Sequence, residues 1–126
     1  QAEDIAEIVA FLDGRQAEND ALLKEMAKAV IQMVTESVDA YVKCDIMLAK
    51  KVIAADDVVD EQFARVKQSL IGKIAADPAD PADGEYALDL LMIAKYYERI
   101  GDHATNIAEW VIYSVTGTHK DEITLT

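Results

Sequence analysis

The chain has 126 residues, of which 24 are acidic and 12 basic, and its formal net charge is −12. A hydrophobic content of 52% supports a packed core and excludes wholesale disorder, while the negative charge excludes sequence-independent binding to nucleic acid or to an anionic membrane. Aromatic residues make up only 6% of the chain, which favours helices over strands. The single cysteine and the lack of an apolar run long enough to span a bilayer predict a cytoplasmic protein.

Apolar residues recur at steps of three and four in four segments, and this period predicts an all-α fold. A short first segment precedes Gly14, which is suited to ending a helix. The three longer segments cover residues 17–43, 45–75 and 82–115. Because short connections make neighbouring helices antiparallel, they predict an up-down three-helix bundle.

The two joints between the long segments differ in how clearly they are marked. The first has neither glycine nor proline, and Asp45 is placed there as the N-cap of the next helix. The second is a linker over residues 75–84 that holds both prolines, with Asp80 and Pro81 suited to the N-cap and the first helical position.

The helical period also predicts which side chains form the core. The four methionines (Met26, Met33, Met47 and Met92) are interpreted as core filler. Trp110 falls outside the apolar arc of the last segment and is a candidate exposed contact residue. The seam predicted for the first long helix consists of Leu22, Met26, Ala29, Val30, Met33, Ser37, Ala40 and Tyr41.

The first segment resembles the end of the last one. Residues 1–11 align with residues 103–113 with five identities, among them the polar match of Glu7 with Glu109. This similarity predicts two copies of one unit, of which the first survives only as its end. The predicted organisation is therefore a helix remnant at 1–14, a bundle at 15–118 and a tail at 119–126.

Oxygen-bearing side chains form a line along the last helix. Taking about 100° per residue, Asp102, Asn106 and Glu109 lie within about 80° of Glu98, at the edge of the apolar arc. Gly101 lies within that arc and predicts a close approach of a neighbouring helix.

The helix before it carries two further acidic pairs at i,i+4 spacing, Asp56 with Asp60 and Asp57 with Glu61. Carboxylates one turn apart repel, so such a cluster takes up protons or a hard cation such as Mg, Mn, Ca or ferric iron. A solvated acidic face is the alternative. A di-iron oxidase site is disfavoured because neither histidine has a Glu three residues before it.

Three strings in the sequence are typical of one family. Residues 97–109, Tyr-Glu-Arg-Ile-Gly-Asp-His-Ala-Thr-Asn-Ile-Ala-Glu, resemble the third-helix signature of the PhoU family, regulators of bacterial phosphate uptake. Residues 56–60 resemble its second-helix motif, and residues 115–117 resemble the end of its last helix. The resemblance implies one repeat of a tandem six-helix architecture, preceded by the tail of the other repeat.

The resemblance also implies a function and a site. Carried over by motif, the metal candidates are Asp56, Asp60, Glu98 and Asp102, extended by Asn106 and Glu109, with iron, manganese or magnesium bound as an ion or cluster. The implied role is non-enzymatic repression of phosphate-starvation genes through contacts with the ATPase subunit of the phosphate ABC transporter and with the phosphate-sensing histidine kinase. A homodimer is expected, with at most peripheral membrane association through these partners. The alternatives are a cytosolic domain of a phosphate cotransporter and a purely structural helical module.

Overall fold

The computed structural model describes residues 17–76 and 81–117, and within them it contains three helices packed together as a bundle. The helices are α1 (Ala17–Lys43), α2 (Ile46–Ala76) and α3 (Pro81–Thr116). The prediction of an all-α three-helix bundle is confirmed. The predicted remnant at 1–14 and tail at 119–126 lie outside the described residues.

Polar contacts show how the helices run. Ser69 Oγ donates a hydrogen bond of 2.8 Å to Asn19 Oδ1, which joins the end of α2 to the start of α1. Lys51 Nζ lies 2.7 Å from Glu36 Oε2, so the start of α2 faces the last turns of α1. Sequence numbers thus rise in opposite directions along α1 and α2, as expected for the up-down order.

The turn between α1 and α2 is built without glycine or proline. Cys44 has a φ of 52°, in the left-handed region that a non-glycine residue seldom adopts. The Asp45 N–H donates to Ala40 O at 3.0 Å, a Schellman-type closure of α1. Asp45 Oδ1 then accepts from the Leu48 N–H at 3.1 Å, which confirms Asp45 as the N-cap of α2.

The helices extend into both ends of the predicted linker. α2 continues to Ala76 and α3 already begins at Pro81, so Gly84 lies inside α3. Pro81 is the first residue of α3, as predicted, so the linker is shorter than residues 75–84. At the other end, Gly117 has a φ of 74° and donates to Tyr113 O at 2.7 Å, which closes α3.

The core follows the predicted period with identifiable exceptions. Tyr41 is 61% exposed, because Ala40 takes the inward position of the last turn of α1. Met47 and Met92 are 75% and 64% exposed, so the prediction that all four methionines are core filler was wrong for these two. Met26 and Met33 are buried as predicted. The other large side chains that are fully buried are Leu23, Val30, Val52, Val59, Val66, Leu90, Tyr97 and Val111.

Candidate metal site

Gly101 marks the level of the bundle at which all three helices meet. A Cβ built on Gly101 would lie 3.7 Å from Met33 Sδ of α1 and 3.7 Å from Val59 Cγ1 of α2. It would lie 3.8 Å from Asp56 Oδ1. The predicted approach of neighbouring helices is confirmed, although at these distances a methyl group would still fit. The two acidic pairs predicted to bind a metal, Asp56 with Asp60 on α2 and Glu98 with Asp102 on α3, lie within one turn of this level.

Electrostatic coupling shows that the two acidic pairs face each other across the α2–α3 contact. Burial, followed by repulsion from Asp60 and then Asp102, raises the pKa of Asp56 from 3.8 to about 6. Burial also raises the pKa of Asp60, with Glu98 the next contributor through its charge and a side-chain hydrogen bond. The four residues singled out from the sequence are therefore neighbours in space.

Asp56 is the least satisfied of the four. Its Oδ1 atom is buried and has no hydrogen-bond partner in the described part of the chain. A buried carboxylate oxygen without a donor is costly, because it has lost water and gained nothing in return. Such an atom is a natural acceptor for a proton or a cation.

A lysine that was not singled out from the sequence already occupies one side of the cluster. Lys95 Nζ lies 2.7 Å from Glu98 Oε1 and 5.2 Å from the centre of the Phe63 ring. The hydrogen bond to Glu98, followed by the negative charge of that carboxylate, raises the pKa of Lys95. The i,i+3 spacing of Lys95 and Glu98 was the signal that could have revealed this pair.

Within residues 17–76 and 81–117, no group of three or more His, Cys, Asp or Glu side chains is arranged closely enough to hold a metal ion. The carboxylates face each other without converging on one point. Glu98 is turned toward Lys95, so an ion that used Glu98 would have to displace the ammonium group.

The two residues predicted to extend the site lie apart from its centre. Asn106 is exposed and Glu109 half-buried, and neither is among the main causes that raise the pKa of Asp56 or Asp60. The metal assignment therefore stays a prediction.

The raised pKa of Asp56 has a consequence for stability. Because the folded-state value lies above the unfolded one, the folded chain binds more protons between about pH 4 and pH 6, and the contribution of Asp56 to the free energy of unfolding falls as the pH rises through that window. The full shift corresponds to about 3 kcal/mol, and partial exposure reduces this to on the order of 1 kcal/mol.

We expect Asp56→Asn to be more stable than wild type at pH 7.5 and to lose that advantage at pH 4. Thermal unfolding in chelator, followed by circular dichroism at both pH values, measures the difference. An advantage that is equal at both would contradict the assignment.

Comparison with known proteins identifies the family. The model of the PhoU domain matches residues 23–111, which is most of the chain and all three helices. The chain belongs to the PhoU family. The resemblance predicted from the third-helix string is thereby confirmed, and the PhoU match includes all four carboxylates of the candidate site.

Individual PhoU relatives match over nearly the whole chain. A phosphate-specific transport system accessory protein, PhoU homolog 1, from Thermotoga maritima is 33% identical over 121 residues, covering 94% of this chain and 51% of the relative. The PhoU homolog of Clostridium acetobutylicum is 33% identical over 123 residues, covering 95% and 54%. The Pseudomonas aeruginosa homolog is 36% identical over 104 residues, covering 82% and 42%.

This PhoU chain spans about half the length of the curated relatives it matches. No solved structure matches it significantly. Among the helices that the structure describes, none is long and apolar enough to cross a bilayer.

Proposed function

We propose that this PhoU chain is a non-enzymatic regulator of phosphate uptake and of phosphate-starvation signalling in the cytoplasm. The observation that carries the proposal is the family match over all three helices, joined to relatives that are named as accessory proteins of the phosphate-specific transport system. The regulator acts through protein contacts, with the ATPase subunit of the phosphate ABC transporter and the phosphate-sensing histidine kinase as partners. A net charge of −12 supports contacts with protein over contacts with nucleic acid.

A capture experiment tests the partners. The purified chain is immobilised and offered the transporter ATPase subunit and the sensor kinase of the same organism, each at micromolar concentration. We expect saturable binding of at least one of them, and repression of a phosphate-starvation reporter in cells that carry this chain in place of their own PhoU protein. A lack of binding to both partners, together with an unrepressed reporter, would contradict the proposal.

The same proposal includes a metal ion held by Asp56, Asp60, Glu98 and Asp102. Three features support it: the carboxylates come from two neighbouring helices, they repel one another, and Asp56 keeps a buried oxygen with no donor among the described residues. An all-oxygen donor set suits iron, manganese or magnesium. The ion would offset the repulsion and hold α2 to α3 at the level of Gly101, which would couple metal content to the shape of the bundle.

Lys95 competes with the ion for Glu98 in this proposal. Replacing Lys95 by Gln removes the ammonium group that lies 2.7 Å from Glu98 Oε1. We expect the variant to bind Mn²⁺ several-fold more tightly in isothermal titration. Arg65→Gln is the matched control, because Arg65 contacts Glu61 at 3.8 Å on the exposed side of α2. Weaker Mn²⁺ binding by Lys95→Gln than by wild type would contradict the competition.

A cytosolic domain of a phosphate cotransporter is the second candidate. The sequence before Gln1 discriminates the two. A second three-helix repeat there supports the regulator, and a run of about 20 apolar residues supports the cotransporter. A third candidate, a purely structural module, predicts that no metal co-purifies.

A further inference from the structure

A groove runs along the contact between α2 and α3, and side chains from both helices meet across it at successive levels. Lys95 of α3 lies over the Phe63 ring of α2, and one turn further along Glu98 interacts with Asp60. On each helix the lining positions recur at steps of three and four residues, which places them on one face. From Leu88 to Asp102 this α2–α3 groove is about 21 Å long. Its α3 row is Leu88, Leu91, Lys95, Glu98 and Asp102, and its α2 row is Ile71, Lys67, Phe63, Asp60 and Asp56.

One end of the α2–α3 groove is an open apolar hollow. It has a volume of about 300 Å³ and lies between the end of α2 and the start of α3, where Leu70, Ile71, Ala87, Leu88 and Leu91 are among the residues that line it. Ile71 is 51% and Leu88 56% exposed. Apolar side chains in an open hollow gain free energy when other apolar side chains cover them, so this end suits a large apolar side chain.

The other end of the groove is acidic, and its carboxylates are spread along the two rows. No three of them lie closely enough to hold one ion within the part of the chain that the structure describes. A guanidinium group suits such a set, because its planar fork carries five donors that can reach separate carboxylates. Lys95 shows that this end receives a side-chain cation, since its Nζ lies 2.7 Å from Glu98 Oε1.

We propose that the α2–α3 groove binds a helix of a partner protein that carries large apolar side chains toward one end and arginines toward the other. This inference rests on the proposed function, in which the chain acts through protein contacts, and it names the surface that makes them. The middle of the hollow and the middle of the acidic end are separated by about ten residues of α3, or about 15 Å. The arginines therefore follow the apolar residues by about three turns on one face of the partner helix.

A probe peptide tests the apolar end in the presence of chelator, so that the metal assignment has no part in the result. The peptide is an alanine-rich helix with three leucines in its first turns and two arginines three turns later on the same face. We expect saturable binding in fluorescence anisotropy, and about tenfold weaker binding by Leu88→Gln, because the variant loses the burial of one leucine. Met47→Gln is the matched control, since Met47 is 75% exposed at the other end of α2. Circular dichroism checks that both variants fold, and equal binding by the two would overturn the proposal.

Asp60→Asn tests the acidic end with the same peptide. We expect binding to weaken by about fivefold, because one exposed carboxylate that faces the arginines is lost. Asp89→Asn is the control, since Asp89 is an exposed carboxylate of α3 outside the two rows. A peptide whose arginines are moved to the opposite face should bind wild type as weakly as the original peptide binds Asp60→Asn, or more weakly. Equal losses in Asp60→Asn and Asp89→Asn would refute the acidic end of the groove.

Capture of the transporter ATPase subunit and the sensor kinase separates this proposal from the proposed function. We expect Leu88→Gln to weaken the capture of whichever partner binds wild type, and Met47→Gln to leave it unchanged. A partner that binds both variants equally would leave the function standing and overturn the groove as its surface. If neither partner binds, the proposed partners fail and the peptide titration still decides the groove. A peptide that does not bind at millimolar concentration, or whose binding falls as the chain concentration rises because a second copy covers the groove, would also overturn it.

Discussion

Mn²⁺ is expected to raise the free energy of unfolding of the wild-type chain by about 2.7 kcal/mol when free Mn²⁺ is at about 100 times its dissociation constant. For a domain of this size that corresponds to a rise of about 10 °C in the midpoint of thermal unfolding. The double substitution Asp56→Asn with Asp60→Asn should abolish the rise, because amides retain the shape of the carboxylates but not their charge. Calorimetry with and without Mn²⁺ measures both effects.

The same double variant separates a metal site from a solvated acidic face. Without metal, at pH 7.5, it should be more stable than wild type, because it relieves repulsion among carboxylates whose pKa values are raised by burial and by one another. Glu85→Gln with Asp89→Asn is the matched control: the charge change is the same, the i,i+4 spacing is the same, and both side chains are exposed on α3. If the control loses the Mn²⁺ effect to the same extent, or if Mn²⁺ does not stabilise wild type, the site assignment fails.

Tyr97→Ala is expected to lower the free energy of unfolding by about 3–5 kcal/mol. Tyr97 is fully buried and is the bulkiest of the fully buried side chains, so truncation leaves a large cavity. Chemical denaturation should show the loss as a lower midpoint at an unchanged slope. Tyr96→Ala is the control. Tyr96 is next to Tyr97 in the sequence but is 38% exposed, so its truncation leaves a much smaller void.

Tyr97→Phe should act in the opposite direction. The Tyr97 hydroxyl is buried without a hydrogen-bond partner in the described part of the chain, and burial raises the pKa of this phenol to about 12. Removing an unsatisfied hydroxyl while keeping the ring should stabilise the chain by about 1 kcal/mol. A loss of stability of similar size would instead show that the hydroxyl has a partner, such as a bound water molecule.

The repulsion among these carboxylates bears on how a small bundle could report a signal. Carboxylates that repel across the α2–α3 contact make the local packing depend on what neutralises them. Protons, Lys95 and a metal ion can all do so, and each would leave a different charge on the surface beside α3. A regulator that works by protein contact needs such a dependence of surface on ligand.

The sequence by itself determined the class of fold and its order. The period of the apolar residues predicted three long helices, and their observed ends differ by only one residue or so from the predicted ones. Asp45 as N-cap and Pro81 as a helix start were also readable, because each acts on backbone groups within one turn. Local chemistry of this kind needs no knowledge of the partner helices.

Part of the candidate site was readable for the same reason. The spacing of Asp56 with Asp60 and of Glu98 with Asp102 places each pair on one face of its own helix. The family string then indicated that the two faces belong together, and the charges of Asp102 and Glu98 on α3 are among the causes that raise the pKa of Asp56 on α2. The metal assignment of the four carboxylates stays a prediction. The pairing of Lys95 with Glu98 was readable from its i,i+3 spacing, but the position of Lys95 over the Phe63 ring was not, because that ring belongs to another helix.

Only the tertiary structure decided the exceptions to the predicted core. Met33 and Met92 are chemically alike, and the bundle buries the first while leaving the second in solvent. Burial depends on whether a neighbouring helix faces that side at that level, which in turn depends on the rotation of each helix about its axis. The sequence fixes the apolar arc of a helix, but its rotation is set by packing against the other two. The same packing left Asp56 Oδ1 buried and without a donor among the residues that the structure describes, and this atom is the physical basis of the proposal that an ion binds there.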